Sequence, residues 1–127
     1  MNRTILLGGI VMGLVAIVLG AFGAHGLERL VSEDAVDSFE TGVRYQMYHA
    51  LFLLFLGTWN ALDLKKQKTV FRLVVIGVIL FSGSIYLLSI NSLVAFDFKT
   101  LALLTPLGGT ILIFAWGILA YFVLAIK

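Results

Sequence analysis

The sequence predicts an all-α membrane protein: four transmembrane helices in a bundle, with an amphipathic interfacial helix between spans one and two. Three observations predict it. Hydrophobic residues make up 61% of the 127 residues, against about 45–50% in ordinary globular domains. Charged residues make up only 13%, roughly half the usual share of about 25%, too few to cover a water-facing surface. The apolar residues also collect in four long runs, about 5–24, 47–62, 73–94 and 101–126, within a single membrane domain covering 1–127. A mean hydropathy of +1.06 with so little charge excludes a disordered chain. The absence of Cys excludes a disulfide framework and thiolate chemistry.

A helix needs about 20 mostly apolar residues to cross a bilayer, so four helices leave no room for a separate soluble domain. The runs exceed the roughly 9–11 residues of a barrel strand and are apolar on every face, which favours helices. Lipid offers no partner for free backbone groups, and a helix satisfies its own.

Span one begins with Asn2-Arg3 and contains Ala21-Phe22-Gly23, features that a cleavable leader also has. Its apolar run of about 20 residues is longer than the usual 7–15 of a leader, so a retained span is expected. Gly9, Gly13, Ala16, Gly20 and Ala24 recur at steps of three and four. That spacing puts small residues on one stripe and lets a neighbouring helix approach closely.

The next segment, 25–49, holds five of the seven acids and both His. Ser32 can cap a helix, with Glu33 and Asp34 favourable in its first turn. Val36, Phe39, Val43, Met47 and Ala50 then recur with helical period, which predicts the interfacial helix over about 32–46. Glu40 and Arg44 stand at i and i+4 in the favoured order, which predicts an ion pair. Span two, 47–62, is the least apolar, with Tyr48 and Trp59 expected as interfacial anchors at its ends. Span three carries Gly77, Ser82, Gly83, Ser84 and Ser89, and span four carries Gly108, Gly109 and Gly117, with Pro106 tolerable in a first turn. These small residues, Gly83, Gly108 and Gly109 among them, are read as helix-packing positions.

With four spans, one side of the membrane carries Arg3, Lys65, Lys66, Lys68, Arg72 and Lys127, and the other carries Arg29, Arg44 and Lys99. Positive residues are held inside, so both termini are expected in the cytoplasm. The basic cluster in 63–72 is read as this topology signal and calls for no nucleic-acid partner.

The run Gly20-Ala-Phe-Gly-Ala-His25-Gly-Leu27 resembles the signature of the YgdD/YwdK-like family of small four-helix bacterial membrane proteins of unknown function. Three further stretches resemble the family pattern: Phe39–Ala50, Phe81–Ser89 and Thr105–Gly117. The resemblance spans nearly the whole chain. It implies a multi-pass, all-helical protein of the bacterial plasma (inner) membrane, and it implies no reaction and no catalytic residues.

For function, the sequence offers one candidate polar site: His25, Glu40, Arg44, Tyr45, Tyr48 and His49. The leading expectation is a protein without catalytic activity. It would act through helix packing, contact with the lipid bilayer, or binding of a partner, a second copy or another membrane protein. A transport component using His25, Arg44 and His49 for a small molecule or lipid is the alternative. Haem or metal binding by His25 and His49 comes third, because no further ligand has convincing spacing. No cofactor, metal or catalytic residue is therefore assigned. The chain contains no GxSxG elbow, P-loop or HExxH motif.

Overall fold

A computed structural model describes residues 1–127 as helices and short connections, with no strand. Helix α1 is Arg3–His25 and α2 is Glu33–Thr58. Helix α3 runs over Leu64–Ser89 with a π turn at Ile79–Gly83. Helix α4, Leu104–Leu124, comes after a 3-10 lead-in at Lys99–Leu103. Three segments are long and apolar enough to cross a membrane: Arg3–Arg29, Leu64–Ser89 and Lys99–Leu124. Helix α2 is as long but carries Glu33, Asp34, Asp37, Glu40 and Arg44 in its first half.

The caps explain where the helices start. Asn2 Oδ1 accepts from Ile5 N at 3.2 Å, Ser32 Oγ from Ala35 N at 3.2 Å, and Asp63 Oδ1 from Lys66 N at 2.9 Å. Each satisfies an amide that a first turn leaves free. The Asp63 cap starts α3 nine residues before the expected boundary. Lys65, Lys66, Lys68 and Arg72 therefore sit on its first turns and not in a loop. At its far end α3 stops at Ser89, short of the expected 94. Asn91 closes the adjoining loop by donating to Phe96 O at 2.6 Å and accepting from Phe98 N at 3.1 Å.

The interfacial helix expected at 32–46 and the span expected at 47–62 form one continuous helix, Glu33–Thr58, so the first runs directly into the second. Helix α2 runs antiparallel along nearly the whole of α1. Gly23 lies against Phe39, Gly20 against Val43, Gly9 against Ala50 and Leu53, and Gly57 against Leu6. The amphipathic stripe thus packs on α1. Tyr48 is in mid-helix, so of the two expected anchors only Trp59, the C-cap, ends α2.

Helix α3 returns along α2, and α4 returns along α3, so both chain termini lie at one end of the bundle. There Asn2 N donates to Gly57 O at 2.7 Å, and Lys66 Nζ lies 5.5 Å from the Phe122 ring centre. The apolar core sits toward this end: Ile5, Leu53, Leu56, Leu62, Val70, Val74 and Ala115 are all buried. Leu7, Ile10, Leu14, Ile17 and Val18 of α1 point outward. Such a contiguous apolar surface suits lipid and not water.

The small residues divide sharply. A Cβ on Gly9 would stand 2.9 Å from Ala50 O, and one on Gly23 3.0 Å from the Phe39 ring. Ala16 is buried, and a Cβ on Gly13 or Gly20 would meet Ala50 or Val43 at 3.5 and 3.3 Å. Ala24, expected on this stripe, is exposed, because the helical period brings Gly23 to the contact instead. Where α3 crosses α4, a Cβ on Gly108 would run into the Leu80–Phe81 backbone, with Leu80 C and Phe81 Cα both at 2.8 Å. Gly109 makes only an ordinary contact, 3.4 Å from the Phe81 ring. Gly83, expected as a packing position, has nothing within 4 Å and faces open space.

These distances separate two classes of glycine. Gly108→Ala and Gly9→Ala are expected to lose about 1–3 kcal/mol, the usual cost of overpacking against atoms that cannot move aside. Gly83→Ala and Gly117→Ala meet nothing within 4 Å and should gain up to about 1 kcal/mol from helix propensity. Thermal unfolding of the four variants in one mild detergent checks the split.

Candidate functional site

The two His lie apart. Phe39 packs at the level of Gly23, near the His25 end of α1. His49 is ten residues further along α2, about 15 Å along its axis. His25 is exposed, whereas His49 is buried beneath α4. The two rings are not neighbours: α2 is helical throughout and carries His49 down into the bundle.

His49 has a defined hydrogen-bonding state. Its Nδ1 lies 2.6 Å from Tyr45 O, and Trp116 Nε1 donates to its Nε2 at 3.1 Å. An indole N–H can only donate, so Nε2 accepts and the proton sits on Nδ1, where it donates to the carbonyl. Both ring nitrogens are thereby committed, leaving no lone pair for a metal. Trp116 is held edge-on to Phe52, ring centres 4.7 Å apart. No group of three His, Asp or Glu side chains converges anywhere in the chain.

A second buried polar chain crosses the bundle at nearby depth. Gln46 Nε2 donates to Met12 O at 2.8 Å, and Tyr86 Oη donates to Gln46 Oε1 at 2.7 Å. Ser82 Oγ donates to Gly42 O at 2.7 Å. No buried side-chain nitrogen or oxygen lacks a partner. The sequence reading overlooked Gln46 and Trp116. The signal for Gln46 is its place seven residues after Phe39, on a buried face of α2 that is otherwise apolar but for His49.

Glu40 and Arg44 form no ion pair, which corrects the expected i,i+4 bridge. The Arg44 guanidinium turns back three residues instead, and Nη2 donates to Thr41 Oγ1 at 3.1 Å. Thr41 in turn donates to Asp37 O at 3.1 Å, so its free lone pair faces the guanidinium. Helical side chains lean toward the N-terminus, and this one leans toward the acid-rich end of α2. The one salt bridge in the chain joins Lys66 to Asp63 at 3.7 Å, far from this region. Arg44, Tyr45 and Tyr48 are exposed on α2. Tyr45 packs against Tyr48 and Phe81, with ring centres 5.6 and 5.1 Å away. Of the six predicted residues, the structure brings Arg44, Tyr45 and Tyr48 to one surface, leaves Glu40 half-buried beside it, places His49 inside, and sets His25 at the bundle end.

Two grooves open beside these residues. One, of about 420 Å³, runs between α2, α3 and α4 and is lined by Tyr45, His49, Phe81, Gly109, Leu112, Ile113 and Trp116. The other, of about 440 Å³, lies at the His25 end. Its walls are Asp34, Ala35, Ser38 and Thr41 of α2, Ile85, Leu88 and Ser89 of α3, and Thr105 at the start of α4. Thr105 Oγ1 is 2.6 Å from Ser84 Oγ, and Ser89 Oγ donates to Ile85 O at 2.8 Å. Asp34, Ser38 and Thr41 recur at steps of four and three, a polar stripe visible in the sequence beside the apolar one.

Residues 19–109 match the family described as a protein of unknown function, DUF423. The chain is 38% identical over 110 residues to the UPF0382 membrane protein YwdK of Bacillus subtilis, covering 85% of each. It is 34% identical over 109 residues to a UPF0382 membrane protein of Haemophilus influenzae, covering 86% of this chain and 84% of the relative. It is 28% identical over 123 residues to the UPF0382 inner membrane protein YgdD of Escherichia coli, covering 93% and 87%. No solved structure matches.

The two His should respond oppositely to truncation. His49→Ala strands the Trp116 N–H and the Tyr45 carbonyl, and leaving a buried polar group without its partner costs about 1–3 kcal/mol. His25→Ala removes an exposed side chain and should stay within about 0.5 kcal/mol of the parent. Melting temperatures in detergent decide, and equal losses would contradict the separation of the two rings.

Proposed function

The chain belongs to the DUF423 family of membrane proteins, and we propose that it is a four-span, non-catalytic protein of the bacterial inner membrane that binds phospholipid through Arg44. Three helices qualify as spans by composition alone. Helix α2 becomes the fourth because its length matches α1 along their shared contact, and its buried polar groups are satisfied by the helices around it. The basic first turns of α3, at the same end of the bundle as both termini, support a cytoplasmic side for that end. The relative YgdD is itself named an inner membrane protein.

One observation carries the binding reading. Arg44 is exposed on α2, and its only partner is a hydroxyl, with no carboxylate to neutralise it. The structure holds Val43, its neighbour in sequence, against Gly20, more than a turn inward from the end of α1. A cation at that depth reaches toward the headgroups, where phosphate is the available counter-charge. The guanidinium fork suits it, since it grips phosphate through two parallel hydrogen bonds. Tyr45 and Tyr48 lie beside it on the same exposed surface of α2. The transport alternative loses His25, which lies at the bundle end, and His49, whose nitrogens are both engaged.

Two measurements test this. A reporter fused after Lys127 should be active in the cytoplasm, and activity only outside would refute the four-span orientation. Native mass spectrometry in mild detergent should find retained phospholipid on the parent protein. Arg44→Gln should lower that occupancy about tenfold, the effect of losing one charge-assisted contact of about 1.5 kcal/mol. Undiminished lipid on the variant would sink the Arg44 reading.

A further inference from the structure

We infer that the 440 Å³ groove at the His25 end holds the headgroup of an amine-bearing phospholipid, with Asp34 taking the primary ammonium while Arg44 takes the phosphate. This rests on the lipid-binding reading of Arg44 and names the class of lipid. The groove is unusual for a chain with so few charges. Four of its eight lining residues are Ser or Thr, and Asp34 is the one formal charge among them. Asp34 enters no ion pair, since the single salt bridge of the chain is elsewhere. Asp34 repels a second anionic group in the headgroup and gains little from an uncharged one. An ammonium suits it, because it can offer three N–H donors to the carboxylate and to the hydroxyls beside it.

Arg44 belongs to the same site through Thr41. Thr41 lines the groove and accepts from the guanidinium at 3.1 Å. The positive charge therefore sits at one end of the groove and the negative charge at the other. Asp34 and Thr41 are seven residues apart on one face of α2, about 10 Å along its axis. The Asp34 carboxylate and the Thr41 hydroxyl that the guanidinium grips thus stand about two helical turns apart on one face, a gap that a headgroup carrying both an amine and a phosphate can bridge. Ile85 and Leu88 give the α3 wall an apolar lining. It suits the start of an acyl chain, so the ligand is a lipid and not a free headgroup.

The test uses the full chain, delipidated in mild detergent, with native mass spectrometry as the readout. Phosphatidylethanolamine, phosphatidylglycerol and phosphatidylcholine are added in separate titrations. The expected result is at least tenfold tighter binding of phosphatidylethanolamine than of either other lipid. The trimethylated ammonium of phosphatidylcholine has no N–H to donate. Asp34→Asn should abolish the preference while phosphate-dependent binding continues. Glu33→Gln removes the same charge from the same helix end, outside the groove, and should leave the preference intact. Water-soluble glycerophosphoethanolamine should fail to displace the lipid at equal concentration.

Equal binding of all three lipids, still lost in Arg44→Gln, would overturn the ammonium assignment and leave the Arg44 reading standing. No bound phospholipid, or no effect of Arg44→Gln, would overturn both. A Glu33→Gln variant that behaves like Asp34→Asn would overturn the groove in favour of a general surface charge. Equal displacement by the soluble headgroup would overturn the lipid in favour of a free one.

Discussion

Every polar atom buried between these helices has to find its partner inside the chain, and that requirement decides where α2 can go. Helix α2 is the least apolar of the four, and it could not face lipid all round without exposing Gln46 and His49 to hydrocarbon. The other helices supply the partners: Met12 O from α1, Tyr86 Oη from α3 and Trp116 Nε1 from α4. Unpartnered polar groups in an apolar surrounding cost several kcal/mol each by the least forgiving reference, so these contacts fix the register of α2 against three neighbours at once. Composition marks the other three helices as long and apolar enough to cross a membrane, and most of the exposed apolar side chains are theirs.

Close approach makes those hydrogen bonds reachable. A donor on one helix meets a backbone carbonyl on another only when the axes are near enough for the side chain to span the gap. Gly42 shows the link: its carbonyl accepts from Ser82, and the Tyr86 ring lies 2.8 Å from where a Cβ would be. The glycine admits the ring, and the ring's hydroxyl reaches Gln46. Packing and polar satisfaction are therefore the same contact seen from two residues. At the α3–α4 crossing Gly108 brings two backbones together, and one turn away Ser84 and Thr105 share a hydrogen bond at 2.6 Å.

The architecture is largely legible in the sequence because hydropathy and small-residue spacing are local signals. The stripe Gly9, Gly13, Ala16 and Gly20 faces α2 as its period predicts. The polar segment is harder to read. An acid-rich amphipathic run looks the same whether its apolar face lies on a membrane surface or against another helix. Only the partner's length resolves it, and α1 matches α2 from Leu6–Gly57 to Gly23–Phe39. The candidate site suffers from a similar ambiguity. Spacing places Glu40 within reach of Arg44, but it cannot show that Thr41 competes as acceptor. The two His look like neighbours only if a loop joins them, and continuous helix separates them instead. Trp116 lies sixty-seven positions after His49, and no periodicity connects residues so far apart.

The π turn at Ile79–Gly83 supplies the last link between packing and the groove. Along the first part of α3 the buried positions are Gln67, bonded to the Leu56 and Trp59 carbonyls, and then Val70, Val74, Gly77 and Val78, an apolar seam of helical period. A strictly α-helical continuation would bring Phe81 and Ile85 next onto that seam. One extra residue in the turn rotates the remainder of α3 by about 100°, the angle per residue of an α-helix. Ser82 and Ser89 then fall on the buried side. Phe81 is turned toward Tyr45 and the α4 glycines. With the turn, hydroxyls take the inward positions of this part of α3: Ser82 holds α2 by its backbone, Ser84 holds Thr105, and Ser89 lines the groove. The irregular turn thus brings hydroxyls to the inner face of α3 toward the His25 end, where the groove opens.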